Sequence, residues 1–170
     1  VTANITLGRA ATTATITDND TPGVTVTQSG STTDVAEGGA TDTFTVVLTS
    51  QPTADVTVAL TGSQVTPTPT PLTFTSGNWN VAQTVTVTGV DDVIVDGSVA
   101  YSIVTAAATS GDSNYSGTNA ANVSISNTDN DNAGVTVSPT AGLVTTEAGG
   151  SATFTVVLNS QPSADVSIGL

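Results

Sequence analysis

Phe44-Thr45-Val46-Val47-Leu48-Thr49-Ser50-Gln51-Pro52-Thr53-Ala54-Asp55-Val56-Thr57-Val58-Ala59-Leu60 is the stretch whose reading decides the fold. Phe44, Val46 and Leu48 alternate with Thr43, Thr45 and Val47, and Val56, Val58 and Leu60 alternate with Thr57 and Ala59. A period of two puts each apolar set on one face of an extended strand, whereas a helix needs spacings of three and four. Between the runs, Ser50-Gln51-Pro52-Thr53 is a turn, with a proline that fixes φ and donates no backbone hydrogen bond. The stretch therefore reads as strand, turn, strand. It returns 110 residues later as FTVVLNSQPSADVSIGL, residues 154–170.

Working outward, a second stretch also occurs twice: Asp18-Asn19-Asp20-Thr21-Pro22-Gly23-Val24-Thr25-Val26 and, 111 residues on, Asp129-Asn130-Asp131-Asn132-Ala133-Gly134-Val135-Thr136-Val137. That interval is the size of a domain rather than of a motif. The expected organisation is residues 1–20 as the last strands of an incomplete upstream repeat, 21–131 as one complete repeat, and 132–170 as the first strands of an incomplete downstream repeat. The chain is accordingly expected to be an excerpt from a longer polypeptide.

Within the complete repeat, Val24 and Val26 open a first strand and residues 28–33 read as a loop or kink. Residues 61–71 carry Pro67, Pro69 and Pro71 and are barred from a central strand. Leu72 and Phe74 form a short strand, and Trp79, Val81, Val85 and Val87 read as a further one ending at Gly89. An acidic loop at 91–97 is followed by Val99, Tyr101 and Ile103, a Gly/Ser/Asn-rich loop at 106–119, and a closing strand with Val123 and Ile125. No segment has helical periodicity. Short strands with turn signals between them over about 100 residues predict an all-β fold of tandem immunoglobulin-like antiparallel sandwiches. A β-solenoid would repeat every few tens of residues, far below the interval seen.

Fourteen acidic residues face one basic residue, Arg9, for a formal charge of −13. Such a surface repels nucleic acid and anionic membranes and attracts cations. Charged residues are only 9% of the chain and hydrophobic ones 37%, so a folded core is expected rather than disorder. The chain has no Cys and no His, which removes disulfides and the usual zinc ligands. No apolar run is long enough to insert in a membrane. With neither His nor Cys, and no Ser nucleophile set beside a base, the chain is expected not to be an enzyme.

Six carboxylates are expected to meet at one pole of the sandwich, facing the next repeat. Glu37 precedes the second strand, Asp91, Asp92 and Asp96 lie in the acidic loop, and Asp129 and Asp131 follow the last strand. Hard divalent cations suit this set: calcium takes 6 to 8 oxygens in irregular geometry, whereas magnesium keeps several waters and demands an octahedron. Asp18 and Asp20 would serve an upstream site and Glu147 a downstream one.

These residues resemble the Calx-beta family of calcium-binding sandwich modules, in the bacterial tandem-repeat form found in large surface and secreted proteins. The resemblance rests on Val35-Ala36-Glu37-Gly38, Leu72-Thr73-Phe74, Ser76-Gly77-Asn78-Trp79-Asn80, Val85-Thr86-Val87 leading to Asp91-Asp92, and the closing 125–131 segment. It implies calcium bound through Glu37, Asp91, Asp92, Asp129 and Asp131, with Asp96 as a further candidate. Two departures point to one or two ions rather than four: Thr66-Pro67-Thr68-Pro69-Thr70-Pro71 stands in the loop where the exchanger pattern of the family has an Asp, and Asn130 stands in the middle of the closing acidic triplet.

The resulting expectation is a structural spacer of an extracellular or cell-surface fibre or adhesin, stiffened by calcium between neighbouring repeats of the same chain. Two alternatives stand beside it. One is recognition of a glycan or protein through loop 106–119, for which Tyr115 would be the exposed contact while Trp79 is buried. The other is lateral assembly of copies into a fibre through strand edges. Asp55 and Asp165 read as ordinary turn residues. The triplets opened by Asn4, Asn19, Asn114 and Asn122 carry little weight as glycosylation signals in a chain this rich in Thr and Asn.

Overall fold

The structure, a computed structural model, describes residues 2–7 and 10–169, with only the backbone described before Thr15; Val1, Gly8, Arg9 and Leu170 lie outside the described residues. Those residues form no helix. In chain order their strands are β1 (Thr2–Leu7), β2 (Ala10–Thr15), β3 (Val24–Gln28), β4 (Thr33–Ala36), β5 (Thr41–Leu48), β6 (Val56–Val58), β7 (Leu60–Gly62), β8 (Val65–Thr68), β9 (Leu72–Phe74), β10 (Gln83–Gly89), β11 (Val99–Thr105), β12 (Thr109–Ser110), β13 (Val123–Thr128), β14 (Val135–Ser138) and β15 (Thr155–Leu158).

One four-stranded sheet runs β3-β5-β10-β8 and is antiparallel throughout. The other runs β4-β13-β11-β7, antiparallel except where β4 lies parallel to β13. A small sheet, β12-β6-β9, continues from β7 across Ala59. The faces meet as two layers of a β-sandwich. Phe44, Val46, Leu48, Val65, Val85 and Val87 from the first sheet join one core cluster with Val35, Leu60, Ile103, Val123 and Ile125 from the second and Val56, Val58, Leu72 and Phe74 from the third. The alternation read from the sequence is the pattern of burial: Phe44, Val46 and Leu48 are inside, and Thr43, Thr45 and Val47 are half-buried.

Two segments differ from the sequence reading, and a third fills in what it left unassigned. The loop read over 28–33 ends earlier, and Thr33 with the unassigned residues 34–36 forms β4, with Thr33 and Val35 buried. Their pairing partner lies some 90 residues away in β13, so local alternation gave no sign of it. Trp79 and Val81 do not begin a strand. Asn78 Oδ1 accepts from the Thr75 N–H at 2.6 Å, the Trp79 N–H donates to Thr75 O at 3.0 Å, and the resulting turns leave Val81 exposed before β10 starts at Gln83. Trp79, expected to be buried, is half-buried and packs against the core. Finally, residues 65–68 form a strand around Pro67. Proline is tolerated there because β8 is the sheet edge.

The second occurrence of the repeated stretch folds as the first does locally. β3 pairs with β5 in the register Val24↔Leu48 and Val26↔Val46; β14 pairs with β15 as Val135↔Leu158 and Val137↔Val156. The N–H of Thr49 donates to Gly23 O at 3.0 Å and that of Asn159 to Gly134 O at 2.9 Å.

Candidate metal centre

Glu37 follows β4, and the parallel pairing carries it to the end of β13: its N–H donates to Thr128 O at 3.0 Å, and it bridges to Gly89 at the end of β10. The chain then turns sharply at Gly38, φ 57°, where a Cβ would press on Asp91 Oδ1 at 3.1 Å and Asn130 Nδ2 at 3.3 Å. Because β4, β10 and β13 all end here, three separate loops are set side by side.

Hydrogen bonds lock these loops together. Asn130 Nδ2 donates to Glu37 O at 2.7 Å and to Asp91 Oδ1 at 2.9 Å. The Gly97 N–H donates to Asp129 Oδ2 at 2.8 Å, and the Asp131 N–H to Asp129 Oδ1 at 2.7 Å. Gln64 Nε2 reaches Asp92 Oδ2 at 3.3 Å, while Asp92 Oδ1 accepts from the Ile94 N–H at 2.8 Å. Asn130, which breaks the acidic triplet, thus clamps the first loop to the second.

One carboxylate oxygen from each of Glu37, Asp129 and Asp131 lies within 4.8 Å of the others. Asp91, Asp92 and Asp96 surround this group closely enough to act on its charge. Burial raises the Glu37 carboxyl above its usual range, and Asp92, Asp129, Asp96 and Asp131 raise it further. Burial likewise raises Asp131, with Asp129, Asp91, Asp92 and Asp96 adding to it. Asp129 moves the opposite way, because the backbone N–H groups of Gly97 and Asp131 stabilise its anion. The six residues named from the sequence therefore form one neighbourhood, with Glu37, Asp129 and Asp131 in reach of a common point.

Glu37 is 4% exposed. Among the described residues, the buried side-chain oxygens without a hydrogen-bond partner are Glu37 Oε2, Asp131 Oδ2 and Asn127 Oδ1, all in this neighbourhood. Buried polar groups are almost always paired, and leaving a carboxylate oxygen bare among like charges is costly. Arg9 is the chain's only basic side chain, so no ammonium or imidazolium of the described residues can neutralise the group. A hard cation accepting only oxygen ligands fits this donor set.

The other acidic residues are placed differently. Asp18 and Asp20 repeat the local turn of Asp129 and Asp131, the Asp20 N–H donating to Asp18 Oδ1 at 3.0 Å, and they line a polar cleft with Ser50, Gln51, Thr53 and Asp112 at the opposite end of the sandwich. Glu147 lies exposed in a turn that repeats the one after β4: Gly149 N–H to Thr146 O at 3.0 Å, against Gly39 N–H to Ala36 O at 3.2 Å. Among the described residues it joins no metal-ligating group of three. Asp55 is exposed, and Asp165 lines an apolar groove described below.

The structure corrects the expectation for Tyr115. It is 1% exposed, its hydroxyl donates to Ser50 O at 2.5 Å, and it accepts from the Ser50 N–H at 3.0 Å. A Gly/Ser/Asn-rich loop around it suggested exposure, but the loop folds over the 50–53 turn and needs an anchor there. Asn127 was not singled out from the sequence at all, since an Asn two residues before an acidic turn reads as turn chemistry. No protein-family model and no curated protein matches this chain.

Proposed function

We propose that this chain is a structural segment of an extracellular or cell-surface fibre or adhesin, built from repeated immunoglobulin-like, Calx-beta-like sandwiches whose acidic pole binds calcium. The observation that carries the reading is the pair of buried, unpartnered oxygens, Glu37 Oε2 and Asp131 Oδ2, in one cluster of carboxylates with no cationic side chain among the described residues. A bound divalent ion turns that repulsion into attraction. Extracellular modules bind calcium at roughly 10⁻⁴–10⁻³ M.

Support for a role at the junction comes from the loop that bears Asp91, Asp92 and Asp96. Its Val93 O accepts from the Gln161 N–H at 2.6 Å, and Ile94 forms a bridge with Gln161. Ile94 and Val95 line a groove completed by Val135, Leu158, Pro162, Asp165 and Val166. The loop that contributes carboxylates to the ion also rests on the next copy of the repeated stretch, so ion binding would fix the angle between copies. Recognition through loop 106–119 is less favoured, because its aromatic side chain is buried.

The test compares melting temperature and small-angle scattering of the full chain in calcium and in chelator, for the natural protein and for Asp129→Asn with Asp131→Asn. Calcium is expected to raise the melting temperature and narrow the distribution of lengths only in the natural protein. Equal responses in both proteins, or none in either, would refute the reading.

A further inference from the structure

Asn127 lies in β13, 2% exposed, between Val35 of β4 and Val99 of β11. Its Nδ2 donates to Glu37 Oε1 at 3.1 Å. Its Oδ1 has no partner and is wedged against Gly89, where any Cβ would overlap it and lie 2.9 Å from Ala36 O. A buried carbonyl oxygen without a donor destabilises the fold, a cost set against the single bond that the amide makes to Glu37.

The amide has one orientation compatible with an ionised Glu37. Reversed, Oδ1 would face the anionic Oε1 and the NH₂ group would face Gly89, which offers no side-chain acceptor. Held as it is, the amide occupies Oε1 and leaves Oε2 as the oxygen free to bind. We infer that Asn127 is a positioning residue of the proposed cation site, holding Glu37 as a one-oxygen ligand and so limiting how strongly the site prefers calcium over magnesium. The inference rests on the cation reading above and adds to it the determinant of ion choice.

The chemistry follows from coordination number. Calcium accepts two oxygens from one carboxylate within its shell of 6 to 8, whereas magnesium requires near-octahedral single-oxygen ligands. With the amide in place Glu37 suits either ion. Without it, Glu37 loses a donor that stabilises its charge, and both ions bind more weakly. Its carboxylate is also free to rotate and offer both oxygens, which calcium uses and magnesium cannot.

The experiment measures calcium and magnesium affinities by calorimetric titration of the full chain, with metal-free melting temperature as a separate readout. The proteins are the natural chain, Asn127→Ile, the near-isosteric Asn127→Leu, Glu37→Gln, and Asn127→Leu combined with Glu37→Gln. Losing the outer-shell amide that orients a ligating carboxylate predicts calcium binding weaker by about ten-fold in either Asn127 variant. Magnesium is expected to weaken by about a further ten-fold, raising the calcium-to-magnesium ratio, and in the Glu37→Gln background the Asn127 change should leave the ratio unmoved. Equal weakening of both ions would assign Asn127 a merely structural role and overturn the inference, as would unchanged affinities. A natural chain that binds neither ion would instead overturn the cation reading beneath it, a result seen before any variant is compared. Should Asn127→Ile fail to fold, Asn127→Leu decides the question, and failure of both to fold in the presence and absence of calcium would also count as a structural role.

Discussion

Removing one oxygen atom, in Tyr115→Phe, tests whether the long loop before β13 is anchored as described. The phenol hydroxyl is buried and meets only Ser50: it donates to the main-chain O at 2.5 Å, accepts from the N–H at 3.0 Å, and lies 2.9 Å from Oγ. Phenylalanine fills the same space without those bonds and leaves the Ser50 main chain unsatisfied beneath the ring. A net hydrogen bond contributes about 1 kcal/mol and a stranded buried donor or acceptor costs about 1–3 kcal/mol, so the change should cost roughly 2–3 kcal/mol. At roughly 4–8 °C per kcal/mol for a domain near 100 residues, the melting temperature should fall by about 8–24 °C. Ser50→Ala removes only the Oγ contact and should cost under about 1 kcal/mol. Differential scanning calorimetry of the two variants reads the difference. A Tyr115→Phe melting temperature within about 1 °C of the natural protein would mean that the hydroxyl faces water, and the loop would again be a candidate recognition surface.

Other expectations concern the metal pole and the far end. Gly89→Ala would drive a methyl group into Asn127 Oδ1 and toward Ala36 O, costing about 1–3 kcal/mol in denaturant titration and weakening calcium binding along with it. In metal-free protein the Glu37 carboxyl lies above its ordinary 4.5, so its ionised form opposes folding: stability should rise as pH falls from 7 through the raised value toward the ordinary one, and Glu37→Gln should be more stable in chelator and flatten that rise. Asp112 behaves oppositely. The N–H groups of Thr53 at 2.8 Å and Asn114 at 2.9 Å hold its carboxyl below the ordinary 3.8, so its stabilisation is complete above about pH 4 and disappears as pH falls through the lowered value; in acid titration Asp112→Asn should lack this component.

Much of the architecture was legible because alternation is a local signal. The apolar faces of β5, β6, β10 and β13 follow residue by residue from Val, Ile, Leu and Phe at period two, and the prolines at 67, 69 and 71 kept that stretch out of a central strand. β4 was not legible, because what makes residues 33–36 a strand is parallel pairing with β13, and a four-residue segment with one Asp carries no pattern of its own. Trp79 and Val81 misled for the reverse reason: they continue an alternation that the Thr75–Asn78 hydrogen bonds interrupt. At the acidic pole the sequence showed which carboxylates share an end of the fold, since that needs only strand order. It could not show that Glu37 is buried while Asp91 is exposed, nor that Asn127 and Asn130 are the amides holding the loops, because those depend on side-chain depth and direction. Tyr115 belongs to the same class, its partner being 65 residues away.

The most direct test of the central claim is calorimetric titration of calcium into the metal-free full chain, with magnesium as the comparison and the melting temperature followed in parallel. The account predicts saturable calcium binding and a stabilisation of about 2.7 kcal/mol when free calcium reaches 100 times its dissociation constant, both lost when Asp129 and Asp131 are replaced by Asn. No heat of binding and an unmoved melting temperature up to about 10 mM calcium, well above the range typical of extracellular sites, would contradict it.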